Sequence, residues 1–257
     1  MKVFSQSLKN NRVVFAWFLV FVLFLLFTPT PNPGKGERML TTVWKYWNSG
    51  EGKILVAALG ATLSTALPVS IAILFLSLCG AGLSYFKPII SPYITVFMGL
   101  SLLPTVYLVF LMKTLSGSIP TDNRLFLVSA LVFSNLILFF FYMDFRKELY
   151  EEFEKECHTF SRMLGQNNLL RSSARKICLI LLERFRPLFI LVFSSTIFAE
   201  HKLNVAGGIY TLLYKTTTSI AGRPDIFYGQ VLFILLFVVV FLLVYDLLTT
   251  FIKSKYY

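Results

Sequence analysis

Apolar residues in this chain do not alternate with polar ones, nor do they return every third or fourth position; they run in long unbroken blocks. The blocks are Val13–Thr28, about Ile54–Ser84, about Ile89–Met112, Leu125–Met143, Leu188–Phe198 and Val231–Ile252. A helix of about 20 mostly apolar residues crosses the ~30 Å hydrocarbon layer of a bilayer. The pattern therefore predicts an all-α membrane protein with about six transmembrane helices. The first block follows Lys2, Lys9 and Arg12 and is followed by Thr-Pro-Thr-Pro-Asn-Pro with no small-residue cleavage site, so it reads as an uncleaved signal anchor. The fifth block is the shortest, because Arg184, Arg186 and Pro187 interrupt it.

Between the blocks lie polar stretches of different kinds. Pro29 to Lys53 is rich in Pro and Gly and carries Trp44 and Trp47, aromatics expected at a membrane interface. Lys113 to Arg124 is a short turn, and Lys202 to Gln230 is a connection containing Gly207, Gly208, Gly222 and Pro224. The longest polar segment, residues 144–187, separates the fourth and fifth blocks. This gives an N-terminal part, residues 1–53, with the signal anchor and an external segment, and a transmembrane domain, residues 54–257.

Composition strengthens the membrane reading. Of 257 residues, 56% are hydrophobic and 14% charged, against about a quarter charged in a soluble domain. The net charge of +11 sits between the apolar blocks. With both termini placed in the cytoplasm, fifteen of the 24 Lys and Arg fall on the inner side and nine on the outer, the direction of the positive-inside rule. That explains the basic balance better than nucleic-acid binding; the expected location is the cell's inner (cytoplasmic) membrane. Cys79, Cys157 and Cys178 form neither a disulfide framework nor a metal-ligand spacing.

The segment 144–187 begins acidic, at Glu148, Glu151, Glu152, Glu154 and Glu156, and ends basic, at Arg171, Arg175, Lys176, Arg184 and Arg186. Leu149, Phe153, Phe160, Met163 and Leu164 recur at helical spacing, Gly165-Gln166-Asn167-Asn168 breaks the pattern, and a second helix is expected from about Leu169 into Leu182. The expectation is a helix–turn–helix in the cytoplasm whose apolar side needs a covering surface. A solvated, charge-stabilised linker accounts for the same residues less completely.

Several residues in order carry a family likeness. Ser161-Arg162-Met163-Leu164-Gly165 matches the second half of a Glu-Ala-Ala, three residues, Gly motif, with Thr159, Phe160 and Ser161 in the Glu-Ala-Ala positions. Ile177-Cys178 stands where the motif continues Leu-Pro; Glu200, Leu203, Ala206-Gly207, Arg223-Pro224-Asp225 and Asp246-Leu247-Leu248 follow in the expected sequence. Over residues 55 to 252 the chain resembles the membrane (permease) subunit of binding-protein-dependent ABC importers, of the dipeptide, oligopeptide and nickel type, as a divergent member. The resemblance implies a solute pathway formed with a second permease, as homo- or heterodimer. It also implies two cytoplasmic ATPase subunits, an external solute-binding protein, and a small solute such as a peptide or metal chelate. It makes Thr159, Phe160, Ser161, Arg162, Met163, Leu164 and Gly165 the ATPase-coupling helix.

Candidate chemistry within the chain is sparse. There is no Gly-x-x-x-x-Gly-Lys-Ser/Thr nucleotide loop, so ATP is expected on partner subunits and no cofactor on this chain. His158 and His201 fall on opposite sides of the membrane in this topology, which leaves no catalytic or metal cluster and no enzyme. Asp246 is the one acid inside a block and is expected to pair or cap within the bundle. Glu200 and His201 are expected at a solvated outer boundary. Ser194, Ser195 and Thr196 are the expected pathway-lining hydroxyls. An ATP-independent carrier or channel, or a scaffold recruiting a cytoplasmic protein, are the competing readings.

Overall fold

The computed structural model describes residues 11–28, 39–48, 50–100, 114, 135–154, 169–203, 207–210, 212–213 and 224–256. These residues are 94% helical, with no strand, in seven helices. They are α1 (Arg12–Phe27), α2 (Met39–Asn48), α3 (Gly50–Phe86), α4 (Ser91–Leu100), α5 (Asn135–Phe153), α6 (Leu169–Leu203) and α7 (Pro224–Tyr256). Two of them, across Gly52–Phe86 and Ile226–Ser254, are long and apolar enough to cross a membrane, and Arg12–Phe27 is a shorter apolar helix.

The chain divides into two compact units, Met1–Ala61 with Ala206–Tyr257, and Thr62–Val205. In the first, α1 and α7 run antiparallel. Asn11 Nδ2 donates to Asp246 Oδ2 at one end (3.1 Å), and Phe24 packs edge-on against Tyr228 at the other. Helix α2 folds back on them: its first amide, Met39, donates to the carbonyl of Thr28 (3.2 Å). Met39 and Val43 are buried with Leu25 and Leu232. Within the stretch read as an external segment rich in Pro and Gly, Met39–Asn48 is helical, and four-residue spacing of Met39, Val43 and Trp47 gives it one apolar face. Trp47 is drawn inward, donating Nε1–H to the Gly229 carbonyl (3.0 Å), while Trp44 stays exposed. Pro224 opens α7 at a position where a missing N–H costs nothing.

In the second unit, α3 presents one face of small residues. Ala66, Ser70, Ile73, Ser77, Gly80 and Ser84 are buried at spacings of three, four and seven, two helical turns per seven residues. Small side chains let neighbouring helices approach closely. The Ser70 and Ser77 hydroxyls donate back to the carbonyls of Ala66 and Ile73, which satisfies them without an outside partner. Helix α3 ends at Phe86 because Lys87 precedes Pro88, and a residue before proline is pushed out of the helical region. A turn of three residues then starts α4.

Two expected boundaries dissolve. Helix α5 passes through Met143–Asp144 without a break and continues to Phe153. Helix α6 starts at Leu169 as expected but runs through Pro187 to Leu203. Proline removes one backbone hydrogen bond, here to the Glu183 carbonyl, and a long helix tolerates that loss. The ends of segment 144–187 are therefore extensions of the helices on either side. Residues 155–168, which include the expected coupling residues Thr159–Gly165, lie outside the described residues, as do parts of the expected third and fourth spans (101–112 and 125–134).

Candidate functional site: a polar joint around α5

Four residues at alternate positions of α5 tie it to three other helices. Tyr142 is fully buried. Its hydroxyl lies 2.8 Å from Ser84 Oγ of α3 and 2.9 Å from Thr95 Oγ1 of α4. The direction of each bond follows from counting protons. Thr95 has one hydroxyl proton and donates it to the Ser91 carbonyl (2.9 Å). Tyr142 must therefore donate to Thr95, and Ser84 must donate to Tyr142. Thr95 Oγ1 accepts a further bond from Arg146 Nη1 (3.1 Å). The guanidinium of Arg146 also lies over the ring of Tyr150, 5.8 Å from its centroid. The result is a one-way chain, Ser84 to Tyr142 to Thr95 to Ser91, with a cation entering it from one side.

The other side of α5 faces α6. Asp144 and Glu148, one turn apart, both bind Arg184: its Nε lies 2.9 Å from Asp144 Oδ2, and its Nη2 donates to Glu148 Oε1. All three side chains are partly exposed. Burial pulls the Arg184 guanidinium down, but the Glu148 hydrogen bond and the charges of Glu148, Asp144 and Glu183 outweigh it and hold the group above its ordinary value. Glu148 Oε2 is buried without a hydrogen-bond partner among the described residues.

Packing around Tyr142 is tight. A Cβ on Gly80 would lie 2.7 Å from Met98 Cε and 3.3 Å from Tyr142 Cδ2. Below it, Tyr85 and Tyr150 meet edge to face with centroids 5.0 Å apart. Helix α3 thus touches α5 along two turns, with α4 wedged against both.

A second polar contact lies at the far end of α3 and α6. Thr62 Oγ1 donates to Glu200 Oε1 at 2.5 Å, and the two residues are 0% and 1% exposed. Glu200 was expected at a solvated boundary; it is instead buried, because it sits on the same face of α6 as Thr196, Val192 and Phe189. His201, one residue on, is exposed.

The expected hydroxyl triplet does not share one face. Ser194 is exposed and donates to the Ile190 carbonyl; Ser195 is half-buried; Thr196 is buried and donates to the Val192 carbonyl. Successive helical residues point 100° apart, so three in a row cannot line one surface. Asp246 Oδ2 accepts a hydrogen bond from Asn11 Nδ2, and both residues make further contacts. Tyr142 and Thr95 escaped the sequence reading. Asp144 and Glu148 carried a legible signal, an i,i+4 acidic pair, but Arg184 lies 36 residues away from Glu148. Among the described residues no group of His, Cys, Asp or Glu could hold a metal ion.

No protein family, curated protein or solved structure matches this chain.

Proposed function

We propose that this chain is the membrane subunit of an ATP-driven solute importer, crossing the membrane about six times, with both termini in the cytoplasm and ATP hydrolysed on separate subunits. Two observations support a membrane setting. Only 17% of the most apolar window of α7, and 39% of that of α3, is buried inside the protein. A core helix of a water-soluble protein would hide most of it. Large side chains such as Trp17, Phe27, Ile89 and Phe97 are likewise exposed, and hydrocarbon is the medium that tolerates an apolar surface of this extent.

The observation that carries the importer reading is the joint on α5. Helix α5 continues ten residues past Met143 and α6 begins 18 residues before Pro187, extensions of about 15 Å and 27 Å at 1.5 Å per residue. Arg184 clamps the two stalks together, and Tyr142 and Arg146 lock α5 to α3 and α4. A push on residues 155–168 would then move four helices together, which is what an ATPase docked on that segment requires of a rigid-body switch. In this reading Thr159–Gly165 meet the ATPase, and the solute is a peptide or metal chelate. A carrier or channel without ATP needs no clamped stalks, and a scaffold needs no link from the stalks to buried Tyr142.

The test is purification from native membranes in mild detergent. A second membrane chain and an ATPase are expected to co-purify, and Leu164→Glu or Gly165→Glu to release the ATPase while the membrane chains stay together. Recovery of this chain alone, or full ATPase retention in both variants, overturns the proposal.

A further inference from the structure

Two cations lie where apolar helices give way to charged sequence. Lys87 follows directly on the apolar stretch of α3, which ends at Phe86. Arg146 follows Met143, where the apolar run of α5 ends. Contacts between the helices bring these two places together. Arg146 donates to Thr95 of α4, and its guanidinium lies over the ring of Tyr150. Tyr150 in turn meets Tyr85, two residues before Lys87. On its other side Lys87 opens the turn into α4: its carbonyl accepts from the Ile90 N–H (3.0 Å), and the Pro88 carbonyl accepts from the Ser91 N–H (3.3 Å). Thr95 stands one helical turn beyond Ser91 and donates to its carbonyl. Lys87 is thus fixed between a residue that touches Tyr150 and one that touches Arg146.

The charge at this place is one-sided. Among the described residues neither Lys87 nor Arg146 is paired with a carboxylate. The acids of α5 are engaged elsewhere, Asp144 and Glu148 by Arg184 and Glu151 by Lys147. Glu152 is buried, and Glu154 lies eight residues, about 12 Å, beyond Arg146. A guanidinium carries five N–H donors in a fixed plane. Thr95 takes one, and the Tyr150 ring supports the plane, so the fork keeps donors for an anion.

The surface beside the cations is apolar and open. Ile89 is 85% exposed at the turn, and Tyr93 and Phe97, one helical turn apart on α4, are 75% and 71% exposed. Helix α4 runs back alongside α3, because a side chain at Gly80 would meet Met98 while Ser84 and Thr95 share the Tyr142 hydroxyl. Its exposed face therefore leads from the level of the cations into the apolar layer. Two cations without carboxylate partners at the head of an apolar strip complement an anionic phospholipid, with its phosphate on the cations and an acyl chain on the strip. Free phosphate would leave the strip uncovered.

We propose that Arg146 and Lys87 bind the headgroup of an anionic phospholipid of the cytoplasmic leaflet, whose acyl chain lies along Ile89, Tyr93 and Phe97. This rests on the membrane setting and the cytoplasmic placing of the α3–α4 turn in the importer reading. It adds to that reading a lipid that fastens onto the joint: a phosphate on Arg146 holds the same cation that donates to Thr95.

The test uses the full chain in phosphatidylcholine nanodiscs with a small fraction of phosphatidylglycerol that carries a photoreactive acyl chain. Cross-linked residues are located by mass spectrometry. Labelling is expected between Ile89 and Phe97. A photoreactive phosphatidylcholine at the same fraction should label this stretch about tenfold less or weaker still, and Lys87→Gln and Arg146→Gln should each lower phosphatidylglycerol labelling about fivefold, the effect of one cation at an anionic surface. Lys87 takes no part in the joint, so its variant is read without concern for folding. Lys147→Gln, whose cation serves Glu151, should change labelling less than about twofold. Equal labelling by the two lipids, unchanged labelling in both glutamine variants, or a loss as large with Lys147→Gln overturns the site. Complete displacement by millimolar inorganic phosphate overturns it as well, since the ligand would then be the anion and not the lipid. A selective site in a chain that brings no ATPase through purification sinks the importer reading alone; a missing site in a chain that brings its ATPase sinks this proposal alone.

Discussion

Arg184 and Asp144 meet through Nε and Oδ2 at 2.9 Å, joining α6 to α5 beside the end of their apolar stretches. The same guanidinium reaches Glu148 one turn further on, so a single cation holds two carboxylates of one helix. Arginine suits this place because its planar fork presents several donors at fixed angles; lysine offers one compact charge.

Arg184→Ala is expected to lower the stability of the chain in detergent by about 1–2 kcal/mol, at the lower end of charge-assisted contacts because all three groups are partly exposed. Arg184→Lys should recover less than half of the loss. Thermal unfolding followed by tryptophan fluorescence checks this, and a lysine variant as stable as the parent would contradict the fork geometry.

The pH dependence of that contact has a definite sign. The folded-state value of Arg184 is raised, so its contribution is fully present below the ordinary guanidinium value and is lost only as pH rises through the folded one. The stability difference between the parent and Arg184→Gln should therefore stay constant between about pH 7 and pH 10. Raising salt should shrink it modestly. A difference that fades across that pH range would show that another group dominates.

Tyr142→Phe removes one oxygen and breaks two bonds, since the hydroxyl both accepts from Ser84 and donates to Thr95. A loss of about 1–2 kcal/mol is expected, for buried hydroxyls left to find new partners. Ser84→Ala added to the Tyr142→Phe variant should then cost little more. The double-mutant cycle measures that coupling directly, and additive losses would mean the chain of hydroxyls does not act as one unit.

Gly80 tests the packing. An added methyl meets the flexible tip of Met98 and the ring of Tyr142, so Gly80→Ala should cost under about 1 kcal/mol, partly offset by its better helix propensity. Gly80→Leu forces the ring itself to move and should cost about 1–3 kcal/mol or more. Trimming Met98 to Ala should rescue the alanine variant and not the leucine one.

Asn11→Leu and Asp246→Leu examine the other unit. Each single change leaves a polar group beside an apolar one, whereas the pair together removes both. The double variant should be more stable than the sum of the two losses by about 0.5–1.5 kcal/mol, the net worth of one hydrogen bond. A coupling near zero would mean that Asp246 is held by other contacts.

The sequence by itself determined the helical character and the long apolar stretches of α1, α3 and α7, because continuous apolar composition is a local property that needs no partner to be read. It also placed the Leu169 start of α6, where Gly165-Gln-Asn-Asn precedes a helix-forming run. Tertiary structure alone decided the rest. Whether Glu200 meets water or a threonine depends on which face α6 turns towards α3, 138 residues away in sequence. Whether Trp47 lies at a surface or inside depends on α2 folding back on α1 and α7. Met143–Asp144 looks like a boundary because apolar residues give way to charged ones, yet the backbone continues helical across it. Side-chain polarity decides what a helix faces, while its backbone hydrogen bonds decide where it ends, and only proline, glycine or a cap stops those. Arg184, read along the chain as an interruption, became the clamp of the fold because a cation's role is set by the carboxylates that packing brings to it.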